Sequence, residues 1–319
     1  MLFISEQEAA GLVTLADAIE VVEAAFAELD AGQARLFPVV SAVGSSPQQQ
    51  WAVKSGRNDS GALGCKVGTY WPDNSGRGLA THASTVLLLD PGTGYAAAVV
   101  QASYLTALRT AAADAVAVKH LARLGASRLA IVGAGHQAWF DMQAISLVRP
   151  VDDVRVWSRS PGRATDFAAR ALAAGFPARA LELREALDGA DIVVTATAAK
   201  GALFPREWIS AGAHVSAMGA DSPGKQELPV DLVMAGRVFV DVIAQSVSIG
   251  ECQSAYRAAG LDCARLTPLG AVVRGAAAGR VSADELTIFD SSGIAIQDLA
   301  VCARAVTRAR EAGRARVVG

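Results

Sequence analysis

The chain has 319 residues, enough for about two domains and a core that needs no disulfide or metal staple. With 29 basic and 31 acidic residues its formal charge is only -2, which offers no electrostatic grip on nucleic acid or an anionic membrane. Four scattered cysteines (Cys65, Cys252, Cys263, Cys302) and four histidines share no ligand-like spacing, which argues against a metal site and for reduced thiols in the cytoplasm.

The N-terminus, MLFISEQEAA, carries Glu6 and Glu8 where a signal peptide would be positive. A first helix is expected after Thr14, which can cap it together with Asp17, and Ile19, Val22, Phe26 and Leu29 repeat at helical spacing up to Gly32. From Pro38 to Val100 short apolar segments alternate with Gly, Pro, Asn and Asp clusters, the pattern of strands and turns. The longest apolar candidate there, STVLLLDPGTGYAAAVV, is broken by Asp90, Pro91 and Gly92, so no membrane span is expected. LTALRTAAADAVAVKHLARL then reads as one long alanine-rich helix. Arg109 lies inside it and, if buried, requires an anionic partner.

Beyond that helix, strand and helix patterns alternate. RLAIVGAG, DVRVWSR, ADIVVTATA, AHVSAMGA, RVFVDV and LTIFDSSG are mostly unbroken apolar runs, as in a parallel sheet buried on both faces. A final helix follows Gly293.

Gly133, Gly135 and Ala138 have the G-x-G-x-x-A spacing directly after a strand and at the start of a helix. The first glycine permits the turn, the second lets backbone approach a pyrophosphate, and the third small residue lets helix and strand pack closely. A dinucleotide cofactor is therefore expected. Twenty residues past Ala138, where an acid would hold the ribose of NAD, stand Ser158 and Arg159. A hydroxyl and a guanidinium suit a 2'-phosphate, so this site leans to NADPH, with NADH still open. GADSPGKQEL, which follows the apolar HVSAMG, is either a plain turn or a loop that presents Asp221 and Lys225 at the edge of the sheet.

Taken together, GCKVGTYWPDN, GLATHASTVLLLDPGTG, LTALRTAAADAVAVKHLAR, VGAGHQA, GADIVVTATA, GAHVSAMGADSPGKQEL, QSVSIGE and TIFDSSGIAIQDLA make the chain resemble the ornithine cyclodeaminase/mu-crystallin family nearly end to end. The resemblance implies an α/β fold, a Rossmann doubly wound parallel sheet inserted into an α+β substrate-binding and dimerisation domain. The latter would comprise residues 1–118 with a return at 293–319, and the Rossmann domain residues 119–292. It further implies that Lys66 and Arg109 bind the substrate carboxylate, with Arg35 a looser match to a further carboxylate-binding arginine. Thr81 and Arg109 would reach the cofactor, His136 and Gln137 would cover the pyrophosphate, and Thr197, Met218, Lys225 and Ser291 would line the nicotinamide side. Asp221 matches the acid that works on the substrate amine.

Those roles describe a homodimeric, NAD(P)H-dependent reductase of 2-imino acids. Lys54 and Arg57 are extra cations in the same region, and they favour a dicarboxylic substrate, iminosuccinate, over a cyclic imine such as pyrroline- or piperideine-2-carboxylate. Two alternatives remain: an ornithine cyclodeaminase and a crystallin-like protein that binds NADPH and a ligand without turnover.

Overall fold

The computed structural model describes residues 1–314 and 316–317. The chain divides into two compact units, Met1–Arg109 with Ile294–Gly319, and Thr110–Gly293. No helix among the described residues is long and apolar enough to cross a membrane.

The first unit is built on a mostly antiparallel sheet. Its strands are β1 (Leu2–Ile4), β2 (Ala34–Leu36), β3 (Val40–Val43), β4 (Gln50–Asn58), β5 (Leu63–Tyr70), β6 (His82–Leu89) and β7 (Ala96–Gln101). They run in the order β1-β7-β6-β5-β4-β2, with β3 also on β4 and the short strand Arg316–Val317 on the far side of β1. Among the described residues of this unit only β1 and β7 pair in parallel. The helix Leu15–Asp30 starts with the expected capping box, in which Thr14 and Asp17 satisfy each other's backbone amides. It packs on the final helix, Ala295–Glu311, which in turn covers β4, β5 and β6. That final helix therefore lies over one face of the sheet, and residues on β4 and β5 alternate toward it and away from it.

The long helix spans Ser103–Leu121. Glu6 accepts the Ser103 amide at 3.0 Å and also that of Tyr104, so a carboxylate sits at the positive end of the helix. The helix stops three residues before the apolar pattern does, where Arg280 takes the Leu121 carbonyl at 2.7 Å.

The second unit contains β8 (Arg128–Val132), β9 (Asp153–Trp157), β10 (Ala178–Ala180), β11 (Ile192–Thr195), β12 (His214–Ala217), β13 (Arg237–Val240), β14 (Leu266–Pro268) and β15 (Thr287–Asp290). All pair in parallel, in the order β10-β9-β8-β11-β12-β15-β13-β14. The six apolar runs supply the six inner strands. The edge strands β10 and β14 were not expected, because three residues are too few to show a period. From β8 the chain builds outward through β9 and β10 and then crosses back to β11, so the strand order reverses between β8 and β11. Ligands of such sheets bind outside the carboxyl ends of the strands at that reversal.

Candidate active site

In the first unit Lys66 and Arg109 converge on one buried acid. Lys66 lies mid-strand on β5, where alternation sends its side chain toward the final helix, and both it and Arg109 are only 6% exposed. Lys66 Nζ lies 2.9 Å from Asp298 Oδ1 and 2.8 Å from Oδ2, and Arg109 Nε donates to Oδ1 at 2.9 Å. Thr106 Oγ1 adds a bond of 3.3 Å, and Arg109 Nη1 reaches Gln297 Oε1 at 3.2 Å. Asp298 is the anionic partner that a buried Arg109 requires. A signal for it was present in the sequence, an acid within the apolar run IAIQDLAV.

Burial pushes the Asp298 carboxyl up, but Arg109 and Lys66 outweigh that effect and hold it below its usual range. The Lys66 ammonium is lowered to about 8, first by burial and then by Arg109, with Asp298 pulling the other way and Lys54 adding to the drop. Lys54 stands directly opposite Lys66 in the β4–β5 register and so shares its face. Three cationic side chains, Lys54, Lys66 and Arg109, therefore stand about Asp298, and a cluster rich in positive charge suits a bound carboxylate.

The sheet does not bring Arg57 and Arg35 to this cluster. Arg57 is three residues from Lys54 on an unbroken stretch of β4, which turns it to the opposite face, where it pairs with Asp59 at 2.8 Å. Arg35 is the register partner of Arg57 and shares that outer face. Thr81 directly precedes β6, with its hydroxyl 3.2 Å from His82 Nδ1.

In the second unit the glycine motif forms the turn from β8 into the helix His136–Ser146. Gly133 has φ +116, and a Cβ there would lie 2.6 Å from the Ala196 carbonyl oxygen. Both conformation and packing demand glycine. Gly135 differs, since its φ of -96 suits any residue and a Cβ would meet no protein atom within 4 Å. Packing within the protein does not explain that glycine, whereas close approach of a pyrophosphate does. His136 opens the helix with its ring edge-on to Phe140, and Gln137 Nε2 donates to the buried Asp141 at 2.7 Å. Ser158 follows β9 half-buried, and Arg159 is exposed.

Past the ends of β11, β12 and β15 lie the residues expected at the nicotinamide. Thr197 donates its amide and hydroxyl to Glu227 Oε1, both at 2.7 Å. Met218 is buried directly after β12, and Ser291, directly after β15, bonds Asp241 Oδ2 at 3.0 Å. Asp221 is exposed and ion-paired with Lys225 Nζ at 2.6 Å, and Lys225 also reaches the Gly219 carbonyl at 3.2 Å. This loop is more than a plain turn. The buried Gln253 takes the Gly224 amide at 2.8 Å and donates to the Ser222 and Lys225 carbonyls at 3.2 and 3.0 Å. Gln253 and Glu227 escaped sequence reasoning, because nothing in the local pattern marks a side chain that holds a distant backbone.

The ornithine cyclodeaminase/mu-crystallin family model matches residues 2–313. The chain is 43% identical to iminosuccinate reductase of Paracoccus denitrificans over 100% of this chain and 99% of that one. The crystal structure of that reductase in complex with NAD+ superposes with a TM-score of 0.95 and covers 100% of this chain and 99% of its own. An archaeal alanine dehydrogenase dimer with bound NAD is 31% identical with a TM-score of 0.96, covering 100% and 99% of the two chains. The Thermococcus litoralis Δ1-pyrroline-2-carboxylate reductase in complex with NADH and L-proline is 30% identical with a TM-score of 0.95, covering 100% of both chains. The match spans both units, from the Lys66 strand through the glycine cradle to the final helix, and the chain belongs to the ornithine cyclodeaminase/mu-crystallin family.

Proposed function

We propose that this protein is a nicotinamide-dependent reductase of 2-imino acids whose preferred substrate is iminosuccinate. The observation that carries the substrate class is the placement of Lys54 opposite Lys66. One carboxylate needs one pair of cations, and Lys66 with Arg109 supplies it. A further ammonium on the same face suits a second carboxylate and repels the side-chain ammonium of ornithine. That repulsion weighs against the cyclodeaminase alternative. The likeness to the Paracoccus denitrificans iminosuccinate reductase supports the same reading.

The bound cofactor supplies a hydride. The chain's own groups orient and polarise the acceptor. Lys66 and Arg109 hold the carboxylate on C2, which fixes the face of the C=N bond that is attacked. Hydride addition to C2 is easier when the imine nitrogen carries a proton, and Asp221 is assigned to stabilise that iminium in exchange for its pairing with Lys225. The hydride forms the new C2–H bond, the C=N π pair becomes the amine lone pair, and iminium becomes the amino group of aspartate.

Ser158 and Arg159 are assigned to the adenosine 2'-position. Arg159 is exposed, so a 2'-phosphate pairing there is worth no more than about 1 kcal/mol, a preference for NADPH of roughly fivefold at most. We also assign a homodimer. Val40, Val53 and Val67 stand in register across β3, β4 and β5, and Val40 and Val67 are exposed, an apolar row of the kind that marks an interaction face.

The test is NADH and NADPH oxidation against oxaloacetate with ammonia, pyruvate with ammonia, cyclic imines, and ornithine as control. Oxaloacetate with ammonia should be the best acceptor. Ammonia release from ornithine without net cofactor oxidation would identify a cyclodeaminase instead.

A further inference from the structure

Three buried carboxylates stand in series behind the loops expected at the nicotinamide. Asp290, at the end of β15, accepts the Glu251 amide at 2.9 Å, the Cys252 amide at 3.1 Å and the Ser246 hydroxyl. Glu251 accepts the Glu227 amide at 2.9 and 3.0 Å and the Leu228 amide at 2.6 Å. Glu227 accepts the Thr197 amide and hydroxyl on Oε1, both at 2.7 Å. Its Oε2 takes the Thr195 hydroxyl at 2.8 Å and the Gly219 amide at 2.9 Å. Each acid holds the backbone of the next, and the last holds the loops that follow β11 and β12.

We propose that Glu227 is a positioning residue for hydride transfer, setting the loops of Thr197 and Gly219–Asp221 against the nicotinamide half of the cofactor. The inference rests on the dinucleotide reading given above. Three features support it. All four donors lie at or just beyond the carboxyl ends of neighbouring strands, the edge where the cofactor's reactive half is bound. Gly219 is shaped for this contact, since a Cβ would come within 2.6 Å of the Glu227 carboxylate and 2.3 Å of the Thr197 carbonyl oxygen. Finally, each carboxylate oxygen faces a backbone N–H, so both act as acceptors, and the bonds from Thr197, Thr195 and Gly219 favour the ionised form against the burial that pushes its pKa up.

This geometry also fixes the polarity of Thr197. Its hydroxyl proton is committed to Glu227 and its oxygen accepts the Ala199 amide at 3.2 Å, so Thr197 offers its surroundings a methyl group and acceptor capacity but no donor. Glu227→Gln keeps the volume but places an NH2 against either the Thr197 or the Gly219 amide, donor against donor.

The experiment uses the full-length protein with NADH as probe. NADH affinity and the anisotropy decay of bound NADH fluorescence are measured alongside kcat, KM and the deuteride isotope effect on kcat. In Glu227→Gln, NADH affinity should stay close to wild type because the pyrophosphate cradle is intact. The nicotinamide should become more mobile, and kcat should fall by about 100-fold, the loss expected for a misplacement on the order of 1 Å. The isotope effect on kcat should rise while the imino acid KM changes little. Thr195→Val removes one donor at constant volume and should show the same pattern in smaller degree, so it serves if Glu227→Gln does not fold. A folded variant with wild-type kcat and wild-type anisotropy overturns the proposal, and so does a parallel loss of NADH affinity and kcat, which marks a merely structural acid. If the wild type binds NADH but reduces no imino acid, the functional reading fails while the anisotropy comparison still decides the role of Glu227. If it binds no NADH, both fall.

Discussion

Asp298→Asn removes one charge from the centre of the first-unit cluster and leaves its volume unchanged. Lys66 and Arg109, each with a side chain 8% exposed, then lose their shared counter-ion, and the Asn amide turns N–H groups toward one of them. Removing one partner of a buried pair in this way costs about 3–5 kcal/mol of stability. The chemical effect follows from Lys66, whose ammonium is already down to about 8 from 10.5 because burial and Arg109 outweigh Asp298. Without Asp298 it drops further, so the proton leaves at a lower pH. In wild type kcat/KM should be flat below the Lys66 pKa of the free enzyme and decline above about pH 8. In Asp298→Asn that decline should begin at lower pH, and each unit of displacement costs about tenfold on the falling limb. The limb in kcat should lie higher than that in kcat/KM, because a bound carboxylate favours the protonated lysine. The assay is a pH series of initial rates of NADH oxidation, with melting temperature followed in parallel. A folded Asp298→Asn enzyme with wild-type kcat/KM and an unmoved upper limb refutes the reasoning.

Asp221→Asn should retain NADH binding, measured by fluorescence titration, while turnover collapses; equal loss of both would mark Asp221 as a turn residue. Lys54→Ala should narrow the advantage of oxaloacetate with ammonia over pyruvate with ammonia, and an unchanged ratio would remove Lys54 from the substrate site. Ser158→Asp should move the ratio of NADPH to NADH efficiency toward NADH, since a carboxylate repels a 2'-phosphate and accepts from ribose hydroxyls. A wild type that already prefers NADH strongly would show that Arg159 serves no phosphate.

What was legible in the sequence is what the chain records locally. The capping box of Thr14 and Asp17 lies within four residues, the glycine motif within six, and the inner strands of the second unit are unbroken apolar runs. The outer strands β10 and β14 escaped because three-residue edge strands carry no pattern. The resemblance supplied Lys66 and Arg109 as individual residues, and the structure adds what joins them. The expectation that Arg57 stands with Lys54 treated neighbours in sequence as neighbours in space, whereas Arg35 entered on a loose match to a family arginine. On a strand that inference fails at every odd step, and Lys54 and Arg57 are three apart.

The acids were the hardest part of the site to read, for a physical reason. A carboxylate is marked by its partners, and these are remote: Asp298 meets Lys66 across 232 residues and Arg109 across 189, and Glu227 meets Thr197 across 30. Yet the demand for such acids can be stated in advance. A buried guanidinium in an alanine-rich helix must be neutralised, and loops that leave parallel strands must find acceptors for amides that no ladder satisfies. The useful question for a sequence of this kind is therefore which buried donors lack acceptors, followed by which acids sit inside apolar runs. Applied to Arg109, that question selects the acid in IAIQDLAV. Applied to the loops after β11 and β12, it selects the glutamate at the end of GADSPGKQEL, where the same block already presents Asp221 and Lys225. A single short segment thus carries both the group assigned to the imine and the acid that holds the loop in place, which ties the chemistry of Asp221 to the burial of Glu227 six residues later.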